Sequence, residues 1–192
     1  MFDIDEKIKI TSPVKKTAVT IGPKRKLMLL DAKKVGVELL PVHLDENAYT
    51  EMKRSHAFLK TYINKRVPIY GINTQFGDQV NLLDSHLKNH DSSLYYDSIN
   101  NRQTNLIKSH ACGMGDAVPA EIVRVAILLR TQCLSQGYSG VAPNVVESML
   151  ASLNAGIVPV VPKYGSIGAS GDLIPLATIA AALIGENINV QY

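Results

Sequence analysis

Charge nearly disappears from the second half of this chain. Residues 101–192 carry five Lys/Arg and five Asp/Glu, whereas residues 1–100 carry 15 and 12. An exposed surface ordinarily holds both signs in quantity, so a stretch this poor in charge should be covered by the first half or by another chain. Its punctuation predicts helices. Pro119 and Glu121 suit the first turn of one that runs through Ile122, Val125, Leu129 and Leu134 to Gly137. Pro143 opens another, with Val145/Val146, Met149/Leu150 and Leu153 on its apolar face, ending near Gly156. A further one begins after Gly171-Asp172, has Pro175 in its first turn and reaches Gly185. From Leu173 to Ile184 it is apolar on every side, the pattern of a helix buried all round. Upstream, a helix is expected from about Asn101 through Leu106, Ile107 and His110, broken by Gly113-Met114-Gly115. Ile157 to Pro162 must be extended, because its two prolines forbid helix. From this pattern alone, residues 101–186 read as helical.

The first half is organised differently. Residues 1–44 read as an irregular lead-in, with short strands allowed where Ile8/Ile10 and Val19/Ile21 alternate. Lys24-Arg25-Lys26 is too short for a nucleic-acid stripe and reads as a solvated turn. A helix is expected from Asp45 to about Lys65, with Ala48, Met52, Leu59 and Tyr62/Ile63 on one face, ending before Pro68. Ile69 to Gly77 is a loop. Residues 84–101 are polar and include His86 and His90 at i, i+4, a spacing zinc sites use. No glutamate lies between them and no third ligand is evident, so they read as surface histidines and no metal is expected.

Composition excludes several classes. With 192 residues, 46% of them apolar, the chain can bury a core without staples. No uncharged apolar run reaches the roughly 18 residues of a membrane span. The acidic start, Met1 to Glu6, lacks the apolar stretch of a signal peptide. Two cysteines, Cys112 and Cys133, suit a reduced cytoplasmic chain, with Cys112 read as a packing residue rather than a nucleophile. Neither nucleic acid nor membrane is expected as a partner.

The segment richest in chemistry is Gly165-Ser166-Ile167-Gly168-Ala169-Ser170-Gly171-Asp172. It permits three readings. One is a tight loop with Ser170 or Asp172 as helix N-cap. Another is a phosphate cradle at a helix N-terminus, weakened because the lysine and hydroxyl of a P-loop are missing. The third uses Ala169-Ser170-Gly171 in that order. The Gly171 nitrogen attacks the Ala169 carbonyl, and loss of water closes an imidazolone. Loss of a second water from Ser170 leaves an exocyclic methylidene, an electrophile built from backbone. Gly171 has no Cβ to obstruct the attack.

Three blocks together resemble the aromatic amino acid ammonia-lyase and aminomutase family. They are Gly165 to Leu173, Tyr70-Gly71-Ile72-Asn73-Thr74-Gln75-Phe76-Gly77, and Gln103 to Ile107 followed by Ser109-His110-Ala111-Cys112-Gly113. The resemblance covers residues 40–190 and implies a mainly α fold class, the N-terminal part of a helical-bundle ammonia-lyase fold with a small irregular or mixed N-terminal region. Residues 45–192 would be mainly helical, with residues 1–44 leading in. It implies a 4-methylidene-imidazol-5-one formed from Ala169, Ser170 and Gly171, with no metal. The substrate amine would add to the methylidene carbon and become a better leaving group. Tyr70 would remove the β-hydrogen. An unperturbed tyrosine, with a pKa of about 10, would need nearby donors to do so near neutrality. His110, Phe76 and Gly77 would contact the substrate, an aromatic amino acid of histidine or tyrosine type. Asn105 and Asp172 would support the site. An aminomutase would return the ammonia to the β-carbon, and a non-catalytic binding relative would keep the fold alone.

Two departures stand out. Gln75 occupies a position where the family usually has glycine, over the substrate. Family members are about two to three times longer, and the resemblance implies that their C-terminal helix bundle is absent from this sequence. Three accounts stand: a natural two-chain enzyme with a complementary C-terminal chain, a fragment, or a non-catalytic remnant. Family members are tetramers, so the resemblance implies a tetramer-like homo- or hetero-oligomer.

Overall fold

The computed structural model describes residues 18–77, 92–166, 173–186 and 188–191. Its architecture is mainly helical, as the punctuation predicts. The lead-in is more ordered than expected. Strand β1 (Val19–Ile21), helix α1 (Leu29–Gly36) and strand β2 (Val42–Leu44) form a small unit in which β1 and β2 pair in parallel, Val19 opposite Val42. Helix α1 escapes sequence reading because it buries little: Val35 and Gly36 face inward while Leu29 and Leu30 are exposed.

Helix α2 (Ala48–Asn64) and the loop after it fall where periodicity and Pro68 place them. Helix α3 (Ser92–His110) begins about nine residues earlier than expected. Its first turns are polar, and only Tyr95 and Ile99 bury there, a spacing too sparse to read as an amphipathic helix. Strand β3 (Met114–Ala117) follows, then helices α4 (Ala120–Leu134) and α5 (Pro143–Asn154). The proline-flanked linker holds strands β4 (Val158–Pro159) and β5 (Pro162–Tyr164). Helix α6 (Leu173–Leu183) and strand β6 (Val190–Gln191) complete the order. Strand β5 pairs antiparallel with β3, and β4 with β6.

Helix α4 is the centre of the main core. It buries Val123, Ile127, Leu128, Thr131 and Leu134 on one stripe. These pack with Val19, Ile21, Val35 and Val42 of the β-α-β unit and with Val146, Leu150 and Leu153 of α5. Full burial of a side chain such as Ile127 or Leu128 contributes about 1.5–3 kcal/mol. Arg124 lies in this stripe and is only 5% exposed. It donates to the carbonyls of Val35 at 3.1 Å and Leu153 at 3.2 Å, near the C-termini of α1 and α5. The Leu153 carbonyl also accepts the Gly156 N–H at 3.2 Å. Both carbonyls lie at the negative end of a helix dipole, which favours a cation there.

A second, smaller cluster joins Ile63 of α2 to Tyr95 and Ile99 of α3, with Leu59, Ile69 and Ile72 against it. It lies under the 69–77 loop. Helix α6 corrects the expectation of all-round burial. Ala177, Thr178, Ile179 and Ala181 are buried, but Leu173 is 41% exposed. Leu173, Leu176, Ala180 and Leu183 line an open cavity described below.

Candidate active site

Helix α3 is the spine of the site. The 69–77 loop lies along it, and the segment that follows it reaches both flanks of the Ala169-Ser170-Gly171 tripeptide. Ala169, Ser170, Gly171 and Asp172 themselves lie outside the described residues, as do His86 and His90.

The loop is built on Asn73, which is 4% exposed. Its Oδ1 accepts from the Ile69 N–H at 2.7 Å, and its own N–H donates to the Ile69 carbonyl at 3.2 Å. Its Nδ2 donates to the Val67 carbonyl at 2.9 Å and to the Tyr95 hydroxyl at 3.0 Å. Thr74 Oγ1 accepts from the Gly71 N–H at 3.3 Å and donates to the Gln75 carbonyl at 3.0 Å. Tyr70 is therefore flanked on both sides by restrained backbone while its own side chain is 63% exposed. The Tyr70 hydroxyl accepts the Gly77 N–H at 3.1 Å, and its ring meets Phe76 edge-on with centroids 5.7 Å apart.

A cleft of about 660 Å³ separates this loop from α3 and is lined by Gln75, Phe76, Asn101, Asn105 and Ser109, among others. Phe76 and Asn105, singled out separately in the sequence, thus face one space. Gln75 lines the same cleft, so the departure noted there does reach it.

His110 ends α3. Its Nδ1 lies 2.8 Å from the Leu106 carbonyl. Ser109 Oγ lies 3.0 Å from the same nitrogen. A carbonyl only accepts, so the Leu106 contact favours the tautomer with the proton on Nδ1 and Nε2 as acceptor. His110 lines an apolar cavity of about 500 Å³, shared with Leu134, Met149 and the first residues of α6, Leu173, Leu176 and Ala177. Leu106 borders both this cavity and the cleft.

Two glycines bring the three chain segments together. A Cβ on Gly113 would stand 2.9 Å from Pro162 Cβ, 3.0 Å from the Tyr164 carbonyl oxygen and 3.2 Å from Ile174 Cγ2. One on Gly165 would stand 3.1 Å from both Gly113 Cα and Ile174. The residue three places after His110 is thus packed against the strand before the tripeptide and the helix after it. The two flanks are joined directly as well: Ser166 Oγ accepts the Ile174 N–H at 3.2 Å. This hydroxyl satisfies one of the orphan donors at the start of α6. Sequence reading took Gly113 as a helix breaker and the end of the histidine block, placed Ser166 and Asn73 in their blocks without a role in the site, and passed over Tyr95. A serine eight residues ahead of its partner amide leaves no local signature.

The family model described as "Aromatic amino acid lyase" matches residues 27–191. The chain belongs to the aromatic amino acid lyase family. Among its curated relatives, histidine ammonia-lyase of Geobacillus thermodenitrificans is 41% identical over 166 residues, 86% of this chain and 31% of that protein. Among solved structures, an ergothionase from Treponema denticola superposes with a TM-score of 0.79 at 26% identity, covering 91% of this chain and 34% of that one. Tyrosine aminomutase from Streptomyces globisporus gives 0.75 at 26% identity, over 90% of this chain and 30% of that one. The chain therefore spans about a third of the length of the relatives it matches.

Elsewhere, Cys112 and Cys133 are both exposed, which corrects the reading of Cys112 as a packing residue. No helix among the described residues is long and apolar enough to cross a membrane. No group of three or more His, Cys, Asp or Glu among the described residues could hold a metal ion.

Proposed function

We propose that this chain is the tripeptide-bearing part of an ammonia-lyase that removes ammonia from an aromatic L-amino acid, histidine being the first candidate. The observation that carries the reading is the meeting of His110's helix end with both flanks of Ala169-Ser170-Gly171 at Gly113. The residue types fit a methylidene-imidazolone: alanine, serine and glycine in the order ring closure needs, with Ser166 and Ile174 tying the segment's two ends. When formed, the group supplies an electrophile that makes the substrate's amine a leaving group.

The chain's own side chains do the rest of the work argued here. Tyr70 takes the β-proton at its phenolic oxygen, where the Gly77 N–H already donates and stays as the proton arrives or leaves. His110 presents Nε2 as an acceptor for a ring N–H or a phenol hydroxyl of the substrate, its tautomer held by Leu106. Phe76 covers the ring and Asn105 lines the same cleft. Gln75 narrows that cleft and tunes which side chain enters. The remaining two-thirds of the relatives' length would complete the site, on a complementary polypeptide in an oligomer. The open apolar cavity lined by α6 and the exposure of Leu173 support this, because such a surface needs cover. Two free, exposed cysteines suit a reducing cytoplasm.

The test is intact mass and peptide mapping of the protein assembled with the polypeptide corresponding to the rest of its relatives. The peptide spanning 165–173 should weigh two waters less than its sequence, and Ser170→Ala should restore the full mass and abolish ammonia release. A full-mass peptide in the assembled wild type sinks the proposal. His110→Leu should weaken kcat/KM for histidine about 100-fold or more, because a site built to bond a ring nitrogen discriminates steeply. The likeness to tyrosine aminomutase keeps one second reading, a 2,3-aminomutase. A β-amino acid product, in place of an unsaturated acid, would select it.

A further inference from the structure

We propose that Asn73 and Tyr95 form the positioning pair that holds Tyr70 at a set distance from α3. The proposal rests on the reading of Tyr70 as the proton-abstracting residue. Four hydrogen bonds pass through Asn73, to both backbone groups of Ile69, to the Val67 carbonyl and to the Tyr95 hydroxyl. Three of them restrain the chain immediately before Tyr70. The fourth crosses to α3, which carries Asn105 and His110 further along. Tyr95 is 3% exposed and its hydroxyl also reaches the Ile63 carbonyl of α2 at 3.4 Å. Asn73 and Tyr95 thus join the loop, α2 and α3 at one buried point. Tyr70 itself is 63% exposed and makes its own polar contact inside the loop, to Gly77, so its placement relative to α3 comes through this pair. A shift of about 1 Å in a proton-transfer group is enough to cost a large rate factor.

The experiment uses the assembled enzyme and four forms: wild type, Tyr95→Phe, Tyr70→Phe and the double variant. Tyr95→Phe removes one oxygen and keeps the ring that fills the core. It should lower kcat about tenfold while KM moves less than threefold. Amide hydrogen exchange should quicken across 67–77 and stay unchanged in α4 and α5. In the Tyr70→Phe background, Tyr95→Phe should cost nothing further, because the pair acts through Tyr70. Asn73→Ala should reproduce the exchange change with a larger loss of rate. An unchanged kcat in Tyr95→Phe, or the same loss with and without Tyr70, overturns the proposal. A fully active Tyr70→Phe overturns the assignment of the base on which it rests, and that outcome is read from a different variant.

Discussion

Ser166 and Ile174 are joined by a 3.2 Å hydrogen bond from the Ile174 amide to the serine oxygen. The bond closes the chain on either side of the tripeptide and caps the start of α6. Ser166→Ala should cost about 1 kcal/mol of stability. It should also slow the loss of two waters from the 165–173 peptide, followed by mass over time after assembly. Ser166→Thr keeps the oxygen and should recover most of both effects. An alanine variant that dehydrates at the wild-type rate would show that the flanks need no tie.

Gly113 is where the His110 helix end meets those flanks. Gly113→Ala places a methyl group 2.9 Å from Pro162 Cβ and 3.0 Å from the Tyr164 carbonyl, which belong to a paired strand. Overpacking of this kind costs about 1–3 kcal/mol. Thermal unfolding should show the loss, and ammonia release should fall by more than stability alone explains, because β5 and α6 are pushed away from His110.

Arg124 is a buried cation that donates to two carbonyls, and among the described residues no carboxylate pairs with it. Burial pushes its guanidinium below the ordinary arginine value. Arg124→Leu takes the guanidinium from the Val35 carbonyl and leaves Leu153 only the Gly156 N–H, so it should cost about 1–3 kcal/mol, seen as a lower urea midpoint at unchanged slope. Arg124→Lys should recover only part of this, since an ammonium cannot fork to two separated acceptors as a guanidinium does.

Asp45 precedes α2. Its carboxylate accepts the Asn47 N–H at 3.0 Å and pairs with Arg25 at 2.8 Å. The Asn47 bond first, and Arg25 second, hold its carboxyl below the ordinary aspartate value. A depressed value in the folded state stabilises the protein above the unfolded-state value of about 3.9, and the contribution disappears as pH falls through the folded one. The Tm gap between wild type and Asp45→Asn should hold through neutral pH and close below about pH 4. A gap that persists in acid would assign the effect to packing.

Much of the helical framework is legible in the residues. Helices α2, α4, α5 and α6 lie where apolar spacing, Pro119, Pro143, Pro175 and the trailing glycines predict them, because caps and breakers act on their own few residues. Helix α1 and the first turns of α3 are not legible, since they bury too few side chains to show a period. The exposure of Leu173 was hidden for a related reason: periodicity reports which side chains are apolar, and coverage depends on what packs against them. Gln75 was noticed in the sequence, yet only the cleft shows that it faces Asn105 and Ser109.

The sequence by itself determined the helical class, the order of the three blocks and the identity of Ala169-Ser170-Gly171, each a matter of local chemistry along the chain. Tertiary structure decided the rest. It put Asn73 against Tyr95, 22 residues apart, and Gly113 against Gly165 and Ile174. Such meetings arise from packing two separate clusters on α3 and α4, and no short window of residues contains that information. The near-absence of charge after residue 100 belongs to both: it demanded cover, and the fold supplies part of that cover through α4 and leaves Leu173 and the apolar cavity beside α6 open.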